Sequence, residues 1–194
     1  MDTDTKVDLR KVEIELVYKT LDIGRIETFL SRQHPLGVRK AQGKRLYYAA
    51  VHEGEWIAVL LFDGAVYRNK LRAAEIGWSA EQEKARREHV CNNSRFLVLS
   101  EYQGVKNLAS KILSLVANRI SADWMRRYGK SLLAMETYVD PEQNGNQGSC
   151  YLAAGWKELG ISTGFMSSSG ERTHGKKYFL KSLHEDSYAA LRSE

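Results

Sequence analysis

Val12, Ile14, Leu16 and Tyr18 alternate with Lys11, Glu13 and Glu15, a period of two that predicts a half-buried strand. Leu21, Ile23, Ile26, Phe29 and Leu30 then take helical spacing, and Pro35 ends that helix because its ring cannot continue the hydrogen-bond ladder. Arg45–Val51 and Trp56–Phe62 read as two strands joined through the turn His52-Glu53-Gly54-Glu55, with Gly54 at a positive-φ position and Asp63-Gly64 closing the hairpin. Over residues 65–91 the pattern predicts a short helix at Ala65–Ala74, an apolar knot at Ile76-Gly77-Trp78 and a charged helix at Ala80–Val90. Ser79 is the N-cap of that charged helix, and Gln82 completes a capping box. Asn92-Asn93-Ser94 is expected to break it.

Arg95–Leu99 suits a buried central strand, and a polar loop containing Gly104 follows it. One long helix is predicted from about Asn107 to Tyr128, with Leu108, Ile112, Leu115, Val116, Ile120, Trp124 and Tyr128 as its buried stripe and Gly129 just beyond it. Leu132–Val139 is another buried strand, Asp140–Gly148 a polar loop, Ser149–Gly155 a short helix and Trp156–Phe165 a strand or hairpin. Met166–Lys176 is expected to be a flexible Ser/Gly-rich loop, and Lys177–Leu183 a final strand before a charged tail. This order predicts one α/β domain over residues 1–194: a mixed, twisted sheet flanked by helices, with a helical insert at about 65–91 between the third and fourth strands.

Composition narrows the function classes. No apolar run approaches the roughly 20 residues that cross a bilayer, and Met1–Arg10 carries no apolar leader segment, so a cytoplasmic location without membrane contact is expected. Cys91 and Cys150 lie far apart with no CxxC spacing, and the five histidines form no HxxxH pair, so neither a disulfide framework nor a metal site is expected. Lys and Arg exceed Asp and Glu by 29 − 24 = 5, a basic balance that permits contact with tRNA or DNA without requiring it.

Residues 95–160 carry the chemistry. A buried strand entering a polar loop and then a helix aims main-chain N–H groups and the positive end of the helix dipole at one spot, where a phosphate is stabilised. The next strand runs parallel to the first. Where such a pair diverges, an extended ligand finds unpaired main chain.

The run RFLVL, loop, LASKIL, LLAMETYV, then Tyr151-Leu-Ala-Ala-Gly155-Trp156 resembles the core of the GNAT N-acetyltransferases over about half the chain. A second resemblance, over roughly residues 30–185, is to the family typified by the first protein of the Druantia antiphage-defence system. It rests on Ile76-Gly77-Trp78-Ser79, Asn92-Asn93-Ser94-Arg95-Phe96-Leu97, Asn107-Leu108-Ala109-Ser110, Asp123-Trp124, Glu136-Thr137-Tyr138-Val139-Asp140 and Gly148-Ser149-Cys150-Tyr151 with Ala153-Ala154-Gly155-Trp156. The first resemblance implies acyl transfer, with the pyrophosphate of coenzyme A bound around Leu97, Val98, Leu99, Gly104, Lys106, Asn107, Leu108 and Ala109. Gly104, Asn107 and Ala109 fall where that family places small residues, and Asn107 departs from the usual glycine. The second implies a setting in defence islands and beside transposases.

Each candidate has a functional and a structural reading. Tyr151 is a general acid for a thiolate or a core tyrosine. Glu136, inside an apolar strand, is a general base or the buried partner of an arginine such as Arg95. Asp140 binds the substrate amine or caps a loop. Asn92, Asn93 and Arg95 are substrate contacts or satisfy backbone groups, Trp78 is a substrate contact or core packing, Cys150 is a substrate contact, a nucleophile or a buried structural thiol, and His34 is a further acid/base candidate. Asn107 is an N-cap or an anion contact. The donor of a transfer reaction would be acyl-coenzyme A or an aminoacyl-tRNA. The alternative is a nucleic-acid-binding accessory protein acting through Arg119, Arg126, Arg127 and Lys130 or through Arg172, Lys176 and Lys177; a protein–protein scaffold built on the insert is a third reading.

Overall fold

The computed structural model describes residues 7–39, 43–142, 147–164 and 174–193. Seven strands form one sheet in the order β1-β2-β3-β4-β5-β7-β6: β1 (Glu13–Val17), β2 (Arg45–His52), β3 (Glu55–Gly64), β4 (Val90–Val98), β5 (Ala134–Val139), β6 (Lys157–Ile161) and β7 (Lys177–Ser182). Every neighbouring pair is antiparallel except β4 and β5, which run parallel. The hairpin between β2 and β3 turns on Glu53 and Gly54, both at positive φ.

The two faces of the sheet bury different sets of side chains. On one face Leu46, Tyr48, Leu60, Phe62 and Met135 pack under Ile112, Val116, Ile120 and Trp124 of helices α4 (Leu108–Ala117) and α5 (Ile120–Tyr128). On the other, Ala49, Val59, Leu61 and Leu97 meet Ile26 and Leu30 of α1 (Thr20–Gln33). Tyr18 and Leu21, expected on the buried stripes, are instead 77% and 89% exposed, because they sit at the junction of β1 and α1 where neither period has begun.

The insert between β3 and β4 holds α2 (Lys70–Ile76), α3 (Ala80–Arg86) and a turn of 3₁₀ helix at Arg87–His89. The Ser79–Gln82 capping box forms on α3 as expected. Helix α2 starts at an Asn69 cap rather than at Ala65. The expected break at Asn92-Asn93-Ser94 is overturned: these residues lie within β4, which begins at Val90. The single helix expected over 107–128 is two, turning at Asn118 and Arg119. Its apolar stripe keeps the same spacing across the turn, so periodicity alone does not reveal the break.

The charged tail folds as α7 (Ser187–Arg192) against the insert. Leu191 is buried beside Ile76 and Trp78, Trp78 Nε1 donates to the Leu191 carbonyl at 2.7 Å, and Arg192 Nη1 donates to the Ile76 carbonyl at 3.0 Å. Most of the loop expected at 166–176 and part of that at 140–148 lie outside the described residues. Among the described residues, no helix is long and apolar enough to cross a membrane.

Candidate active site in the fork between two parallel strands

Strands β4 and β5 pair over only three positions, Val90 with Ala134, Cys91 with Met135 and Asn92 with Glu136. Beyond Asn92 side chains take the place of strand-to-strand bonds. Thr137 Oγ1 donates to the Asn93 carbonyl at 2.9 Å. The buried Asn93 amide nitrogen donates to the carbonyls of Leu61 and Arg95 at 3.1 and 3.0 Å. A register shift at Leu61/Phe62 in the β3–β4 ladder accompanies the separation. The strands therefore fork around a cavity of about 300 Å³, with Asn93–Val98 on one wall and Thr137–Asp140 on the other.

The Leu99 amide donates to the Ile57 carbonyl of β3. Strand alternation then turns the main chain of Phe96 and Val98 away from β3, toward the fork. Gln103 Nε2 donates to the Val98 carbonyl at 3.2 Å there. A ligand with spaced amides has strand-like partners along this wall.

The front of α4 closes one end. Asn107 takes the left-handed conformation, φ 62° and ψ 2°, that favours glycine and that asparagine tolerates better than most residues. Its side chain makes no capping hydrogen bond, so Asn107 stands at the N-cap position without acting as a side-chain cap. The main-chain N–H groups of Lys106, Asn107, Ala109 and Ser110 have no acceptor among the described residues, whereas Leu108 donates to the Val105 carbonyl at 3.3 Å. Open space surrounds Gly104. This cluster, reinforced by the dipole of α4, suits phosphate oxygens.

Tyr151 reaches the fork from α6 (Ser149–Ala153). Its hydroxyl donates to Asn93 Oδ1 at 2.8 Å. Its ring stacks on Phe179 with centroids 5.7 Å apart and meets Trp156 edge-on at 5.1 Å. Gly148 makes that placement possible: its φ is 80°, and a Cβ there would overlap the Phe179 ring. Burial, and secondarily the neighbouring Cys150, push the phenol well above its usual pKa, so it keeps its proton at neutral pH.

Asp140 ends β5 at the same cavity. Its carboxylate meets His174 Nε2 at 2.8 Å, accepts from the Glu142 amide at 3.1 Å and lies 3.8 Å from Lys176 Nζ. Burial works against its ionisation, but the His174 hydrogen bond and the Glu142 amide outweigh that and hold the carboxyl below its usual range.

His34, just past the end of α1, lines the same cavity. Its Nδ1 accepts from the Leu36 amide at 3.1 Å, which leaves Nε2 for the ring proton of the neutral form. Burial and then the charge of Arg95 lower its pKa to about 4. Gln33, Gln103, Thr137 and Tyr138 also line the cavity. Thr137 and Tyr138 stand in the 136–140 signature, whereas no sequence signal marked Gln33 or Gln103, which only their position in the fold brings here.

Other expected site residues lie elsewhere or have different partners. Glu136 is fully buried, and its carboxylate accepts from the Val66 amide at 2.8 Å, from Arg72 Nη1 at 2.7 Å and from the Tyr178 hydroxyl at 2.7 Å. Its arginine is Arg72 of the insert, not Arg95. The Arg95 guanidinium donates to the carbonyls of Gly37, Ser94 and Leu36. Trp78 lies in the core beneath α7, outside both cavities. Cys150 packs against the main core, also outside both, and burial raises its thiol pKa. Leu99 and Leu108 are core side chains, leaving only their main chain for a ligand. Asn92 lines a second, adjoining cavity. Among the described residues no group of three or more His, Cys, Asp or Glu side chains gathers to hold a metal ion.

The sheet order, the parallel fork and the helix that begins at its mouth define a GNAT fold, and solved acetyltransferase structures superpose accordingly. One is the aminoglycoside acetyltransferase AAC(6')-Ib in complex with coenzyme A and kanamycin, with a TM-score of 0.57 at 17% identity over 94% of this chain and 99% of that one. A second is the spermidine N-acetyltransferase SpeG from Vibrio cholerae, at 0.55 and 11% over 92% and 96%. A third is an IAA acetyltransferase from Bacillus cereus, at 0.51 and 14% over 88% and 99%. A search of curated protein sequences gives no match. Within that fold the chain belongs to the Druantia protein DruA family, whose model matches residues 4–182.

Proposed function

We propose that this protein transfers an acyl group from a coenzyme A thioester to an amine. The observation that carries the proposal is the convergence of unpartnered amides at the front of α4 with the wall of β4 where the parallel strands part. The residues present fit coenzyme A: Asn107 reproduces the backbone conformation of a glycine, Gly104 leaves room for phosphate, and Phe96 and Val98 offer main chain to an amide-bearing arm. As a substrate, the thioester supplies an acyl carbon already activated for attack.

The chain's own groups then have distinct tasks. The amine nitrogen attacks the thioester carbonyl carbon; a C–N bond forms, the C–S bond breaks, and the sulfur leaves as a thiolate. Tyr151 is the proton donor to that sulfur. The amine's proton leaves to solvent water: the one acceptor nitrogen of neutral His34 is taken by the Leu36 amide, so that ring offers the fork an Nε2–H donor and not a base. Main-chain N–H groups of the fork stabilise the oxygen that gains charge. Asp140 orders the rim through His174 and Lys176. Glu136, enclosed by three donors, is a positioning residue that fastens the insert beside the fork rather than a base.

An aminoacyl-tRNA donor would reach the same amides through a phosphate, so the donor is chosen by experiment. Free-thiol release from acetyl-coenzyme A is measured with a panel of amines, beside transfer from a charged tRNA. Amine-dependent thiol release supports the proposal. Transfer from tRNA with none from the thioester replaces the donor.

A further inference from the structure

The second cavity, about 690 Å³, adjoins the first and shares Leu36, Asn93, Ser94, Arg95, Tyr138 and Lys176 with it. Its size is that of a small-ligand site. Its charge is one-sided. Among the described residues Arg39, Arg45, Arg95 and Lys176 line it against a single carboxylate, Asp63. Asp63 is occupied, receiving Arg45 Nε and Nη2 at 2.5 and 2.9 Å. Lys176 lies near Asp140. Arg39 and Arg95 have no carboxylate partner among the described residues, and three hydrogen bonds leave Arg95 two of its five N–H donors. Among the described residues, then, a polycationic amine meets no free carboxylate here, while an anion meets two guanidinium groups that form no ion pair.

An aromatic ring completes the site. Tyr67 of the insert lines the same cavity and stays 61% exposed, although the Arg87 and Arg68 guanidinium carbons lie 4.5 and 5.5 Å from its centroid. Exposed aromatic rings beside cations are how sequence-tolerant contacts to bases are built.

We propose that this cavity takes a nucleotide group, its phosphate at Arg39 and Arg95 and its base at Tyr67. Naming it the acceptor side rests on the acyl-transfer reading; the binding itself does not. By contrast, the basic groups that sequence alone suggested are largely engaged. Arg119 pairs with Asp123 at 2.7 Å, Lys130 with Glu88 at 2.9 Å and Lys177 with Glu158 at 3.5 Å, and Arg172 lies outside the described residues.

The test is a calorimetric titration of the full chain with AMP, adenosine, spermidine and a short single-stranded oligonucleotide, each with 4′-phosphopantetheine in excess, which brings a phosphate to the front of α4 but no base to compete at Tyr67; coenzyme A is titrated separately. AMP is expected to bind, adenosine to bind about tenfold or more weakly for want of the phosphate, and spermidine not to bind. Arg39→Ser and Tyr67→Ala each weaken AMP by about tenfold while leaving the melting temperature unchanged, because both side chains are exposed. An oligonucleotide that binds more tightly than AMP points to a nucleic-acid strand, and equal affinity to a free nucleotide; either supports the site. The proposal is overturned if neither AMP nor the oligonucleotide binds, if spermidine binds as tightly as AMP, or if both substitutions leave nucleotide affinity unmoved. Failure of coenzyme A itself to bind counts against acyl transfer alone, because the two substitutions still decide this site.

Discussion

Arg72 and Glu136, 64 residues apart in sequence, form an ion pair at 2.7 Å with both side chains at 0% exposure. Arg72 also meets Glu83 Oε1 at 2.6 Å and the Val66 carbonyl at 2.9 Å. One guanidinium thus joins α2, α3 and the start of the insert to β5, beside the fork. Removing a single partner strands a buried charge, so Arg72→Met is expected to cost roughly 3–5 kcal/mol in urea unfolding. Adding Glu136→Gln should recover part of that, because the neutral amide keeps an oxygen to accept from the Val66 N–H while its NH2 can donate to a reoriented Tyr178 hydroxyl, and no charge is left buried. Full stability in Arg72→Met alone would contradict a structural role for the pair.

Asn107 separates backbone conformation from ligand chemistry. Asn107→Gly should leave the melting temperature unchanged or slightly raised, since glycine adopts φ 62° without a Cβ penalty. Asn107→Ala should cost about 1 kcal/mol, the usual size of the left-handed penalty. Equal stability of the alanine and glycine variants would show that this backbone conformation is not held in solution.

Tyr151→Phe keeps the stacking on Phe179 and Trp156 but loses the proton and the bond to Asn93. The rate constant for amine acylation should fall by roughly 10²–10⁴ with little change in coenzyme A affinity, while stability falls by only about 1 kcal/mol. Cys150→Ala, outside the cavities, should leave the rate within a factor of about two if its role is packing. Full activity in Tyr151→Phe would remove the proposed acid.

His34 sets a pH dependence. In the unfolded chain it binds a proton below about pH 6.5, but in the folded protein only below about 4. Between those values the unfolded state holds more protons, so stability rises with pH. The contribution is complete above 6.5 and is lost as pH falls through 4. The ring is partly exposed, and solvent screening reduces the full linkage to about 1–2 kcal/mol. Denaturant midpoints of wild type and His34→Gln from pH 7 to 4 should show a shallower acid slope in the variant; parallel slopes would contradict the account.

Much of this architecture was legible because it is local. Alternation marked β1, the Ser79–Gln82 box marked the start of α3, and the succession of strand, loop, helix, strand and Tyr151 marked the fork. What was not legible depends on distant partners. Nothing around Glu136 announces that its counter-ion comes from residue 72, and Arg95, nearer in sequence, turns to loop carbonyls instead. Asn92-Asn93-Ser94 looks like a helix breaker because those side chains compete for backbone bonds, yet that competition is what parts β4 from β5. The sequence shows the tail only as charged, yet the Leu191 side chain and carbonyl hold Trp78 in a core away from both cavities.

The most direct measurement is a calorimetric titration of wild type and Asn107→Asp with coenzyme A. Aspartate tolerates the same backbone conformation and favours a helix N-terminus, so the variant folds, but it sets a carboxylate among the amides meant for phosphate. The account expects one site in the wild type and an affinity at least about tenfold weaker in the variant. No binding by the folded wild type, or equal binding by both, would contradict it.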